Sequence, residues 1–330
     1  VPKYRLDADG KPGEFNDIKV VSIEHKMGLH ASPTCVLSFG DNGKCVGELI
    51  GAEGGGIAAM FTMMNNARLN VGLEGVQVAE RATQRAVAFA RERIQSARAG
   101  SASRDPVAII DHPDVRRMLL RMKAQTQAAR ALVYYAAGQV DRANLGSADA
   151  RKRLDLLTPL AKAHGTDLGN EVASIGIQVH GGMGYVEETG AAQHFRDARI
   201  TPIYEGTNGI QAADLVGRKL SMDKGATLNA LIADMRKDAG GDKLIELIDA
   251  CDRVAQHLLG AEVDDKLAAS YPFLTMLSVA VCGWLMEREA GAIGADDNSD
   301  FAMMKRAVTR FYGEQIVPEA LGLQSAAMAG

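Results

Sequence analysis

The chain has 330 residues, of which 47% are hydrophobic and 24% are charged, as in folded globular domains and unlike disordered chains. Its net charge of -4 excludes an overall electrostatic attraction to nucleic acid or to anionic membranes. The most apolar stretch, residues 273–286, is interrupted by polar residues and is predicted to be a core helix, not a membrane span. The four cysteines form no Cys-x-x-Cys pair, and no metal site is predicted.

The first 56 residues are rich in Gly, Asp and Asn and contain short apolar runs, a pattern that predicts strands and turns. The best candidate strands cover residues 20–23 and 34–39. The turn at residues 41–43 predicts a hairpin whose second strand covers residues 45–50. Two or three strands are too few to be stable alone.

After the glycines at positions 54–56, apolar residues recur at helical spacing. Pro113 follows a capping segment and predicts a helix start, whereas Pro159 predicts a kink inside another helix. The predicted helices cover residues 57–98, 111–144, 148–180 and 208–220. Long helices with wide apolar stripes and short loops predict an antiparallel four-helix bundle.

Residues 221–330 carry three further helical patterns, divided at 240–241 and at 294–300. The predicted fold is therefore mainly α. Its three predicted parts are a small β region over residues 1–56, the bundle over 57–220 and an additional helical domain over 221–330.

Residues 181–185 form a glycine-rich turn whose backbone amides are able to approach a phosphate closely. The turn follows a predicted helix instead of a strand, and no ribose-binding acid lies about 20 residues further on, which excludes a Rossmann site. A helix C-cap and tight turn is the alternative interpretation.

Glu205 is a lone carboxylate between Tyr204 and Gly206, on a loop that follows Pro202 and precedes a helix. A carboxylate on a loop held by rigid elements is a candidate catalytic base. The alternative is a surface glutamate near a helix N-terminus, where the helix dipole favours an acid.

Three segments, at residues 178–185, 195–200 and 203–207, closely resemble in order and spacing the C-terminal signature of the acyl-CoA dehydrogenase family. Further similarities lie at residues 24–28, 32–34, 64–68, 72, 75 and 92–93. The resemblance covers about residues 1–220. The tail resembles the extra helical domain of a bacterial subgroup that includes the 3-methylmercaptopropionyl-CoA dehydrogenases.

The resemblance implies that Glu205 removes the α-proton of an acyl-CoA thioester while FAD accepts a hydride from the β-carbon, which yields the trans-2-enoyl-CoA. It implies substrate contacts for Asn65 and Arg68. The cofactor contacts that it implies are Arg93, Gln178, Gly181, Gly182, Gly206, Thr207 and Asn208. In the family, Arg93 and the segment from Gln178 reach the FAD of a neighbouring subunit.

The resemblance further implies a homodimer or homotetramer, an electron acceptor such as electron-transfer flavoprotein, and a location in the bacterial cytoplasm. Family members begin with an N-terminal helical domain and most of a β-domain that this sequence does not show. The chain is therefore expected to be a C-terminal portion that is inactive alone and binds FAD weakly or not at all. A catalytically silent helical oligomerisation fragment and an acyl-CoA oxidase on the same scaffold are the alternatives.

Overall fold

The computed structural model describes residues 1–329, apart from the side chain of Thr62. These residues contain twelve α-helices and six short strands. The predicted, mainly helical fold is confirmed. The chain divides into two units, Val1–Met64 and residues 65–330. The three-part division with boundaries after residues 56 and 220 stays a prediction. Among the described residues, no helix combines the length and the apolar character that crossing a membrane requires.

The N-terminal unit holds two antiparallel strand pairs. The strands are β1 (Tyr4–Leu6), β2 (Pro12–Phe15), β3 (Ile18–Ile23) and β4 (Cys35–Phe39). β3 and β4 confirm two predicted strands, but the strand predicted over residues 45–50 is wrong. The backbone of Val46 instead pairs with the side chain of Asn16, which donates to the Val46 carbonyl at 2.8 Å and accepts from its N–H at 2.9 Å.

The helical unit is built around three long helices: α1 (Gly56–Glu92), which begins in the N-terminal unit, α2 (Pro113–Asn144) and α3 (Ala148–His180). α2 and α3 confirm the predicted helices to within two residues at each end. The first helix ends at Glu92 and not at the predicted Arg98. The residues that follow form β5 (Ile94–Ala97), paired antiparallel with β6 (Pro106–Ala108). Ser96 has a φ of 59°, which is incompatible with a right-handed helix.

Two short helices follow the glycine turn after α3. α4 (Ala191–Ala198) was not predicted, whereas α5 (Asn208–Asp214) continues through a π-helical turn at Leu215–Lys219 and accounts for the fourth predicted helix. α5 packs against α3. The loop between α4 and α5 carries Glu205.

The predicted breaks near residues 240 and 294–300 are present, but the three predicted helical patterns are wrong in number, because further breaks divide the described C-terminal residues into seven helices. They are α6 (Ala226–Asp238), α7 (Asp242–Gly260), α8 (Val263–Ala268), α9 (Ser270–Gly291), α10 (Asp300–Phe311), α11 (Val317–Leu321) and α12 (Gln324–Met328). α9 is buried on most sides and packs against α2, α3, α5 and α7, which confirms the predicted core helix over residues 273–286.

Glycines let α1 and α3 touch backbone to backbone. A Cβ added to Gly72 would lie 2.5 Å from the carbonyl oxygen of Ala161, and one added to Gly75 would lie 2.2 Å from that of Gly165. No real side chain fits at such distances. The two contacts advance together along both helices, so α1 and α3 run in the same direction, as alternate helices of an up-and-down bundle do.

Candidate functional site

The loop that carries Glu205 has an unusual backbone. Glu205 adopts a left-handed φ of 55°, and Gly206 follows with a φ of 84°. The left-handed region is costly for a residue with a side chain, and such conformations persist only where the surrounding structure imposes them. The half-buried Glu205 is therefore held in a strained turn, which is a property of many functional loops.

The backbone N–H groups at and just after Glu205 are available as donors. Among the hydrogen bonds formed within residues 1–329, none uses the N–H groups of Glu205, Gly206 or Thr207. The next N–H, that of Asn208, donates to the carbonyl of Pro202 at 2.9 Å. Three successive N–H groups beside a carboxylate provide donors for a carbonyl oxygen or another electron-rich group.

Arg68 lies beneath the loop. Its side chain is buried, and Nε donates to the backbone carbonyl of Glu205 at 3.4 Å. Arg68 is located one helical turn before Gly72, so the close contact between α1 and α3 brings it to this position. Asn65 is exposed on the same helix. The substrate contacts predicted for Asn65 and Arg68 stay predictions, whereas the observed contact of Arg68 is with the loop itself.

Asn208 fastens the end of the loop to α3. Its buried side chain accepts from Lys162 Nζ at 2.8 Å and donates to Asp167 Oδ1 at 2.8 Å and to Thr166 Oγ1 at 2.9 Å. The amide group is thus directed into the protein. Of the three predicted cofactor contacts on this loop, only Gly206 and Thr207 keep unpaired N–H groups.

Lys162 and Asp167 were missed by the sequence analysis. Lys162 is fully buried, and burial lowers its pKa to about 8, although the carboxylates of Asp167 and Glu205 act in the opposite direction. Burial likewise raises the pKa of the Asp167 carboxyl. The available signal was a lysine within the otherwise apolar sequence of residues 159–163. Such a lysine is expected to be buried, and a buried lysine is rare unless it has a partner.

Two further contacts fix the middle of the loop. The hydroxyl of Tyr204 donates to the carboxylate of Glu74 on α1, and burial together with this bond raises the pKa of Tyr204. The side chain of Gln211 donates to the Gly206 carbonyl at 3.3 Å. The loop is therefore tied to α1, α3 and α5 by separate hydrogen bonds.

The remaining predicted cofactor residues lie at the C-terminal ends of α1 and α3. The rings of Phe89 and His180 stack with centroids 4.4 Å apart, which holds these two helix ends together. All four residues are exposed: Arg93, Gln178, Gly181 and Gly182. Nothing lies within 4 Å of a Cβ built on either glycine, so the backbone there is open to a ligand.

The predicted site residues thus form two groups. One surrounds Glu205, where Arg68 lies in the first half of α1 and Lys162 lies near the middle of α3. The other lies at the C-terminal ends of both helices, and Arg93 follows Arg68 by 25 residues, or about 37 Å at 1.5 Å per residue. The cofactor contacts of both groups stay predictions.

Comparison with known proteins identifies the family. Residues 54–220 match the family described as acyl-CoA dehydrogenase, C-terminal domain, and residues 226–330 match the one described as acetyl-CoA dehydrogenase C-terminal like. The chain belongs to the acyl-CoA dehydrogenase family. The resemblance seen in the sequence, including that of the C-terminal helices, is confirmed.

Among the curated relatives, 3-methylmercaptopropionyl-CoA dehydrogenase of Ruegeria pomeroyi is 41% identical over 97% of this chain and 58% of the relative. A butyryl-CoA dehydrogenase of Syntrophomonas wolfei is 32% identical over 100% of this chain and 59% of the relative. The chain therefore spans less than two thirds of these acyl-CoA dehydrogenases.

Solved structures show the same fold. Caenorhabditis elegans ACDH-11 in complex with C11-CoA aligns with a TM-score of 0.76 at 21% identity, over 94% of this chain and 52% of that chain. Butyryl-CoA dehydrogenase from Megasphaera elsdenii aligns with a TM-score of 0.52 at 31% identity, over 62% of this chain and 49% of that chain. The second alignment leaves more than a third of this chain unmatched.

Proposed function

We propose that this chain is the base-carrying helical part of an FAD-dependent acyl-CoA dehydrogenase, which converts an acyl-CoA thioester to the trans-2-enoyl-CoA. The observation that carries the proposal is the loop at Glu205. It combines one carboxylate with three unpaired backbone N–H groups on a turn that the protein holds in a strained conformation. Proton removal next to a carbonyl requires these two elements.

The backbone and the side chain of this loop have different roles in the proposed reaction. The N–H group of Glu205 donates to the thioester carbonyl and stabilises the negative charge that develops on its oxygen as the α-proton leaves. The carboxylate of Glu205 accepts that proton. Because the Glu205 and Gly206 carbonyls are bonded to Arg68 and Gln211, the peptide groups are fixed before substrate binds, and no reorganisation is required at the moment of reaction.

The chemistry of the exposed groups fits FAD. When bound, FAD supplies the hydride acceptor for the β-carbon. Gly206 and Thr207 would hold the pyrophosphate near Glu205, while the guanidinium of Arg93 and the open backbone at Gly181 and Gly182 suit phosphate and adenosine. Gln178 is exposed at the same helix end and would join this second group.

Arg93, Gln178, Gly181 and Gly182 are exposed at the helix ends away from Glu205, which leaves them free to contact an FAD molecule held by another subunit. We therefore propose a homodimer or homotetramer in which Arg93 and its neighbours serve the cofactor of another subunit. The proposal includes an electron acceptor such as electron-transfer flavoprotein, on the support of a structural match described as the electron transferring flavoprotein of Acidaminococcus fermentans. It also includes a location in the cytoplasm, on the support of the bacterial relatives.

Two alternatives make different predictions. A silent oligomerisation fragment does not need unpaired donors next to a strained carboxylate, so the Glu205 loop favours the enzyme. An acyl-CoA oxidase would share the base but consume oxygen during turnover. An oxygen electrode distinguishes it from a dehydrogenase.

The test of the proposal is Glu205→Gln in the full-length, FAD-loaded enzyme of which this chain is the proposed part. Glutamine keeps the shape of the side chain but accepts no proton, so flavin reduction by an acyl-CoA should fall about a thousandfold. The affinity for the enoyl-CoA product should change less than tenfold. The control is Glu188→Gln, which alters an exposed carboxylate and should leave the rate within twofold. A Glu205→Gln rate within tenfold of wild type would contradict the assignment.

A further inference from the structure

A tyrosine from the C-terminal helices reaches the support of the Glu205 loop. The hydroxyl of Tyr271, near the start of α9, donates to Asp167 Oδ2 at 2.5 Å across 104 residues of sequence. The other oxygen of Asp167 accepts from Asn208 at 2.8 Å. The carboxylate of Asp167 is therefore shared between the C-terminal helices and the residue that ends the loop.

The packing places this connection directly behind the loop. α5, which begins at Asn208, packs against both α3 and α9. The N–H of Asn208 also closes the loop by donating to Pro202. A change in the position of Asn208 would consequently be transmitted to the residues between 202 and 208, including Glu205.

Asp167 depends on its donors. The carboxyl is half-buried, burial raises its pKa, and a carboxylate in such a place is costly unless hydrogen bonds replace its hydration. Tyr271 and Asn208 each supply one donor. Removal of the Tyr271 hydroxyl would leave one oxygen without this partner and weaken the position of the anchor that Asn208 uses.

We propose that Tyr271 is a positioning residue that, through Asp167 and Asn208, holds the Glu205 loop in its strained conformation. The C-terminal helices thereby support the candidate site while remaining outside it. The mechanical link stands on the hydrogen bonds alone, whereas its effect on catalysis rests on the proposed function of Glu205.

The direct test is amide hydrogen exchange of the chain with Tyr271→Phe, followed by mass spectrometry of peptides that cover residues 202–208. Exchange at Asn208 should become about five- to tenfold faster, because local opening loses one hydrogen bond that opposes it. The matched control is Tyr135→Phe. It removes a half-buried hydroxyl, which accepts from Arg153, and should leave this peptide unchanged. Unchanged exchange in Tyr271→Phe, or equal acceleration across all helices, would overturn the proposal.

A double-mutant cycle with Asp167→Asn tests the route. If Tyr271 acts through Asp167, the double variant should exchange at residues 202–208 no more than about twofold faster than Asp167→Asn alone. If the acceleration in the double variant equals the product of the accelerations in the two single variants, Tyr271 does not act through Asp167.

Activity of the FAD-loaded enzyme provides a further readout. Tyr271→Phe should lower kcat about three- to tenfold and leave KM within about twofold, since the loop acts on proton removal more than on binding. An unchanged kcat would overturn the catalytic consequence. If Glu205→Gln stays active while Tyr271→Phe loosens the loop, the proposed function fails and the mechanical link stands. If Glu205→Gln loses activity while Tyr271→Phe leaves exchange in the loop unchanged, the mechanical link fails and the proposed function stands.

Discussion

The two ends of the α1 and α3 helix pair differ in how completely this chain organises them. At one end the Glu205 loop is held by Arg68, Gln211 and Asn208, and a buried lysine lies beneath it. At the other end Arg93 is exposed, and its guanidinium donates to the side-chain amide oxygen of Gln95 at 3.3 Å. The first end is prepared by the chain itself, whereas the second presents charged and open groups to something outside the chain.

The contact between α1 and α3 decides the geometry of the first end. Gly72 and Gly75 bring the two backbones together, and Arg68 on α1 thereby meets the loop that Lys162 on α3 supports. The second end needs no such approach because two aromatic rings, Phe89 and His180, fill the space between the helices. Changes in the glycines should therefore affect the Glu205 end most strongly.

The largest expected effect is that of Gly75→Ala. The new Cβ would overlap the carbonyl oxygen of Gly165, and a backbone atom is unable to move away without separating the helices. The free energy of unfolding, measured by urea denaturation, should fall by about 3 kcal/mol.

The control is Gly138→Ala on α2, where nothing lies within 4 Å of the new Cβ. Relief of the glycine entropy cost should stabilise the helix by about 0.5–1 kcal/mol. Equal effects at positions 75 and 138 would contradict the close backbone contact.

A smaller effect concerns Lys162 and pH. Its pKa falls from 10.5 in the unfolded chain to about 8 in the native state, so unfolding takes up a proton between these values. The contribution of Lys162 to stability therefore rises as the pH increases from 8 towards 10.5 and is least favourable below pH 8. Relative to Lys162→Met, the wild type should gain unfolding free energy between pH 7.5 and pH 9.5.

The comparison for this prediction is Lys152→Met, at an exposed position on the same helix. Its difference from wild type should not vary with pH. If Lys162→Met also runs parallel to wild type over this range, Lys162 is not buried as a titrating group in the native state.

The smallest effect on stability is expected at the second end. Arg93→Ala removes an exposed side chain and should change the free energy of unfolding by less than about 0.5 kcal/mol. Under the proposed function, the same variant should weaken FAD binding to the assembled enzyme about tenfold, because a hydrogen-bonded charge is lost. If fluorescence titrations show an unaltered affinity for FAD, Arg93 does not contact the cofactor.

Local signals predicted much of the fold. Pro113 at the first turn marked the start of α2, and Gly181 marked the end of α3, because each residue acts on the backbone conformation of its own segment. The early end of α1 was missed, since residues 94–97 become a strand only through pairing with β6. The prediction of a strand at 45–50 was wrong for a similar reason, because the Val46 backbone pairs with the side chain of Asn16 and not with another strand.

Some residues of the candidate site could likewise be predicted from sequence, and others could not. Glu205 and the glycine turn could be selected from sequence because their residue types and spacing carry chemistry. Asp167 and Tyr271 could not, and the one signal for Lys162 was its apolar neighbours, since the importance of all three arises from contacts between segments 41 to 104 residues apart. The predicted first helix already separated Arg68 from Arg93, whereas the contact of Arg68 with the Glu205 loop required the fold.

The central claim is that Glu205 takes the α-proton of an acyl-CoA. It is tested most directly by deuterium exchange in heavy water, with the FAD-loaded enzyme and an acyl-CoA whose β-carbon bears no hydrogen, so that only proton removal is possible. Wild type should exchange the α-hydrogens, and Glu205→Gln should exchange them about a thousandfold more slowly while still binding the thioester. Exchange at the wild-type rate in Glu205→Gln would contradict the account.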